Sequence, residues 1–148
     1  MSVNDTALSH HPAPHRKLVA PLELAFGLLG GPAAWFGQLC VGVPLSNWPC
    51  FPRDQHVLGP LSGYEWTWAA IGIVSLAAVV VSLAAMVVSG RVLRRTRTEL
   101  EGDHVQLLDT GAGRTRFLAL WGTIAGGAFA VASAFTGVAF FILPRCAG

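Results

Sequence analysis

Three long apolar blocks, set apart by polar segments, dominate the chain. They cover residues 21–45, 66–89 and 117–143. Each meets the roughly 20 apolar residues that a helix needs to cross a hydrocarbon core of about 30 Å. The pattern predicts an all-α integral membrane bundle of three transmembrane helices. The third block is longer than a crossing requires, so it is expected to tilt or overhang. Residues 1–20 read as a flexible leader, rich in turn formers and without periodicity. Residues 21–148 read as a single three-helix domain with a long loop over 90–116. The first block exceeds the 7–15 residues of a signal-peptide core and follows a polar leader, so it is read as a retained span.

Composition agrees with this pattern. Only 12% of the 148 residues are charged, against about 25% in a soluble domain. The few charges are also sorted. Arg16 and Lys17 precede the first block, and Arg91, Arg94, Arg95, Arg97, Arg114 and Arg116 fall between the second and third. Arg53 and Arg145 lie on the other side. Under the positive-inside rule the leader and the 90–116 loop are cytoplasmic, and the 46–65 loop and C-terminal tail are periplasmic. The expected location is a bacterial inner membrane. Arg91, Arg94, Arg95 and Arg97 sit where anionic lipid headgroups attract them by roughly 1 kcal/mol each. Arg95 with Glu99, and Arg97 with Glu101, have the spacing of helical ion pairs. A net charge of +2 gives no basic patch for nucleic acid.

Small residues mark helix faces. In the second block Gly72, Ser75, Ala78, Ser82, Ala85 and Ser89 alternate spacings of three and four, which keeps them on one face. In the third, Gly122, Gly126, Ala130 and Ala134 recur every four residues. The first block carries Gly27 and Gly31 at the same spacing. Such stripes permit close backbone approach, either within this bundle or onto another membrane subunit. In the first block Pro32 follows Gly30 and Gly31, and a proline inside a helix removes one hydrogen bond. A kink or local break is expected near Gly30–Pro32. Gln38, the one strongly polar residue at mid-depth, is expected to bond across helices or to fill a carbonyl freed by the kink.

Candidate chemistry is sparse. All five histidines lie in the leader or loops, so no span offers the histidine pair of an intramembrane haem or copper site. HHPAPH in the leader reads as linker, and DTGAGRTR follows no strand, as a phosphate loop would require. No nucleophile–base or metal constellation appears, and neither catalytic residues nor a cofactor are expected. A homo-oligomeric transporter or channel would need polar lining, and Gln38, Ser75, Ser82 and Ser133 are the residues available for it.

Of the three cysteines, Cys50 and Cys146 share the external, oxidising side, each beside a proline at membrane-surface depth. A Cys50–Cys146 disulfide is expected there; free thiols, or a pairing with Cys40, are the alternatives. No CxxC motif is present, so the usual signature of a thiol–disulfide oxidoreductase is missing. Tyr64, Trp48, Trp66 and Trp68 gather at the same boundary as an interfacial aromatic belt.

The run Gly31-Pro32-Ala33-Ala34-Trp35, followed by Gln38-Leu39 and by Pro49-Cys50, resembles a group of small proteobacterial membrane proteins. Their genes commonly lie beside those of haem–copper cytochrome c oxidases, especially the caa3 type. They share a G-P-x-A-W motif in an early span and a cysteine in the loop after it, and many end close to a cysteine, as this chain does at Cys146. The resemblance covers residues 23–50 and the C-terminus. It implies a noncatalytic accessory subunit or assembly-associated protein, with oxidase subunits and the lipid bilayer as partners. No catalytic residues carry over.

Overall fold

The structure is a computed structural model that describes residues 20–51, 62–95, 112–143 and 146. Among the described residues three α-helices make up the fold: α1 (Pro21–Asn47), α2 (Trp66–Arg95) and α3 (Ala112–Ile142), with a short 3₁₀ turn at Trp48–Cys50 closing α1. The helices contain 27, 30 and 31 residues. At 1.5 Å per residue they are about 40–46 Å long, more than a hydrocarbon core of about 30 Å. All three are long and apolar enough to cross a membrane. The chain is a multi-pass membrane protein.

Helix ends and apolar ends do not coincide. α2 runs on past the apolar block to Arg95, and α3 begins at Ala112, ahead of Phe117. The loop expected over 90–116 therefore has helix at both its ends. Backbone hydrogen bonding continues wherever the chain permits, while long arginine side chains leave their charge in the polar layer. Nor is there a break at Gly30–Pro32: α1 is helical from Pro21 to Asn47 with Pro32 and Pro44 inside it.

The helices run up, down and up, so α1 and α3 are parallel. Gln38 bonds to Ser133, a separation of 95 residues, and the disulfide joins positions 96 apart. Gly27 beside Gly122 and Gly31 beside Gly126 repeat the offset of 95. The two GxxxG pairs thus face each other in register along one seam. A Cβ on Gly122 would lie 3.0 Å from the Gly27 carbonyl oxygen, and one on Gly31 would lie 3.4 Å from the Gly126 Cα. Ser89 of α2 fills the junction beside Gly27 and Gly122. A Cβ on Gly126 would meet the Met86 backbone nitrogen at 2.7 Å. Backbones this close need glycine, and van der Waals contact over them is what holds helices together where lipid offers no hydrophobic drive.

The α2 stripe stays in the interior from Ser75 onward: Ser75, Ala78, Ser82, Ala85 and Ser89 are all buried. The α3 stripe drifts out. Gly122, Gly126 and Ala130 are buried, Ala134 is exposed, and Ser133 and Gly137 take its place in the seam. The cause is geometric. A step of four residues turns 400°, so a strict four-residue repeat precesses by about 40° each time, whereas alternating threes and fours hold the face. Gly72 lies at the margin, half-buried, with a Phe141 ring carbon 3.6 Å from its Cβ position. Large apolar side chains such as Phe36, Ile73, Val131 and Phe135 point outward, as a lipid-facing surface requires.

Candidate functional site

The features that the sequence singles out converge on the bundle interior and its two ends. At mid-depth Gln38, 1% exposed, reaches from α1 to both other helices. Its Nε2 donates to Ser75 Oγ at 3.1 Å and to the Ser133 main-chain carbonyl at 3.1 Å. The second bond sets the amide orientation, because a carbonyl can only accept and so must face the nitrogen. Of the two roles expected for Gln38, the structure has the inter-helix one. Its Oε1 and the Ser133 hydroxyl are buried without partners. Trp35, one turn before Gln38 on α1, donates its Nε1 proton to Thr136 Oγ1 at 3.1 Å, and its ring packs on Phe129 with centroids 5.6 Å apart. Ser82 returns its hydroxyl to the Ala78 carbonyl at 2.8 Å, so its polarity is spent within α2.

At one end of the bundle, Cys50 and Cys146 form a disulfide with Cα atoms 5.2 Å apart. The 3₁₀ turn with Pro49 at its start buries Cys50 to 1% exposure beneath the end of α1. Cys146 sits in the left-handed region at φ 60°, a conformation uncommon outside glycine, and there its side chain meets Cys50. Cys40 is free and exposed. Trp48 and Trp66 are exposed at this end, and Trp68 stacks on Phe141 with centroids 5.3 Å apart.

At the opposite end Val92 and Ala119 are buried with Leu24 and Leu93 packed on them. Just beyond this layer Arg95 pairs with Glu23 of α1 at 3.8 Å. The expected pairing of Arg95 was with Glu99 along α2. Glu99, Glu101 and Arg97 lie outside the described residues, as do the leader with HHPAPH, Arg53 and Arg145. Arg91 and Arg94 are exposed. Among the described residues no group of three His, Cys, Asp or Glu is placed to hold a metal ion.

Sequence reasoning missed Thr136 and Gly137 on α3, Met86 on α2 and Glu23 as the partner of Arg95. Thr136 carried a signal, being a polar residue in an apolar span one helical turn after Ser133. Met86 carried none, since what Gly126 meets there is main chain. Compared with family models, with characterised proteins and with solved structures, the chain matches none of them.

Proposed function

We propose that the protein is a noncatalytic accessory subunit or assembly-associated protein of a respiratory membrane complex, a haem–copper cytochrome c oxidase, in a bacterial inner membrane. The arginine-rich end is cytoplasmic in this reading, and the disulfide end periplasmic, where an oxidising environment keeps the bond. One observation carries the noncatalytic part. Gly31, Trp35, Gln38 and Cys50, which bear the family resemblance, are all used to join this chain's own helices. They build a rigid element, as a scaffold needs, and present no reacting group to a substrate. The oxidase as partner rests on the resemblance. A pore built from several copies is disfavoured, because Gln38, Ser75, Ser82 and Ser133 are buried within one chain.

The test is affinity purification of a tagged chain in mild detergent from its native membranes. Recovery of the core oxidase subunits with haem absorbance is the expected outcome. Recovery of the chain alone, with the oxidase intact in the unbound fraction, would contradict the proposal.

A further inference from the structure

The arginine-rich end holds an unpaired cation. Arg116 of α3 is half-buried, and its Nη1 is enclosed with no hydrogen-bond acceptor among the described residues. A guanidinium is charged at every accessible pH, and leaving an enclosed charged donor unmade costs more than the 1–3 kcal/mol of a neutral one. Its level in the bundle follows from its neighbours. Arg116 stands one turn before Ala119, and Ala119 packs in the layer with Val92 and Leu24. Arg94, Arg95 and Glu23 border the same layer. Among the described residues at this end Glu23 is the one acid, and it already lies 3.8 Å from Arg95. Arg91 and Arg94, in the last turns of α2, are exposed. Among the described residues this end therefore sets Arg91, Arg94, Arg95 and Arg116 against Glu23 alone.

The surface next to Arg116 is apolar. Phe117, Leu120 and Trp121, 58%, 45% and 50% exposed, follow it toward the centre of the span. Phe117 and Trp121 meet edge to face with centroids 6.1 Å apart. A cation at headgroup depth with an exposed aromatic flank directly below it suits a ligand that is anionic at one end and apolar at the other. We infer that Arg116, supported by Arg91 and Arg94, forms a discrete site for the phosphodiester headgroup of an anionic phospholipid, whose acyl chains lie along Phe117, Leu120 and Trp121. The site differs from the general attraction of a basic segment in joining one half-buried cation to a defined apolar flank.

The experiment is native mass spectrometry of the full chain in detergent, titrated with phosphatidylglycerol and, separately, phosphatidylcholine. Phosphatidylglycerol is expected to bind about tenfold more tightly, because both lipids offer the phosphodiester but phosphatidylcholine adds a quaternary ammonium that the arginines repel. Arg116→Gln is expected to abolish that preference, Arg116→Lys to keep part of it, and Arg94→Gln to weaken it less than Arg116→Gln. Excess inorganic phosphate, lacking acyl chains, is expected not to displace the lipid. Equal binding of the two lipids by the wild-type chain would overturn the inference without recourse to any variant. So would an unchanged preference in Arg116→Gln, or equal losses from Arg94→Gln and Arg116→Gln. Displacement by inorganic phosphate would assign the site to free phosphate and overturn the lipid reading.

Discussion

Gln38 and Ser133 are tied across the parallel α1–α3 seam by a 3.1 Å bond from the glutamine amide nitrogen to the serine main-chain carbonyl. The same nitrogen holds Ser75 of α2 at 3.1 Å, so one side chain fixes the relative heights of all three helices. Apolar seams built on glycine and alanine can slide by a turn at little cost. A buried amide with a defined carbonyl partner penalises that slip, because a shift by one turn parts the amide nitrogen from both Ser75 and the Ser133 carbonyl. Gln38→Ala is expected to destabilise the bundle by about 2 kcal/mol, combining a cavity with lost bonds. Ser75→Ala is expected to cost about 0.6 kcal/mol, a typical value for hydrogen bonds between membrane helices. A double-mutant cycle on Gln38 and Ser75, read by reversible unfolding in mixed micelles, measures the coupling. Strict additivity would mean that the bond contributes nothing.

The glycines of the seam are expected to differ sharply from those outside it. A Cβ at Gly126 would meet the Met86 main chain at 2.7 Å, whereas nothing lies within 4 Å of one at Gly37. Gly126→Ala forces α3 away from α2 and is expected to cost about 1–3 kcal/mol. Gly37→Ala is expected to be neutral or to stabilise by up to about 1 kcal/mol through helix propensity. Thermal unfolding followed by circular dichroism ranks the two; similar midpoints for both variants would refute the close approach.

The disulfide closes the chain between Cys50 and Cys146 at one end of the parallel pair. Opening it is expected to reduce stability by about 2–4 kcal/mol while leaving the helices formed. Alkylation in SDS without reductant is expected to label Cys40 alone, and labelling after reduction to reach all three cysteines. Three labels before reduction in freshly isolated, oxidised membranes would exclude the bond.

Trp35 separates ring packing from hydrogen bonding. Trp35→Phe keeps an aromatic surface against Phe129 and loses the 3.1 Å bond to Thr136. A loss of about 0.5–1 kcal/mol is expected, with Thr136→Val adding little on top of it, since both changes remove one interaction. Full additivity of the two in thermal unfolding would show that the bond is not shared.

Most of this architecture was legible in the sequence, for identifiable reasons. Span number follows from the length of apolar runs, and helix faces follow from spacing, which is why Ser75, Ala78 and Ser82 line the interior as their threes and fours require. The Cys50–Cys146 bond followed from topology, which put both thiols on one side. What stayed hidden is azimuthal. A stripe says which face packs but not which helix it meets, so nothing in Gly27 and Gly31 announced that Gly122 and Gly126 would oppose them in parallel register. Ala134 left the seam because helical precession accumulates over several turns. Glu23 beside Arg95 was likewise hidden, because spacing along α2 says nothing of the neighbouring end of α1.

A three-helix element that serves a terminal oxidase, as we propose, is needed for the full amount of active enzyme in the membrane. The most direct measurement is cytochrome c oxidase activity, with the amount of assembled oxidase by haem difference spectrum, in membranes of a strain lacking the protein. The account predicts a reduced amount of active oxidase, restored by the wild-type chain and not by a Gly126→Val variant that prises the bundle open. Unchanged activity and unchanged haem content in the deletion strain would contradict it.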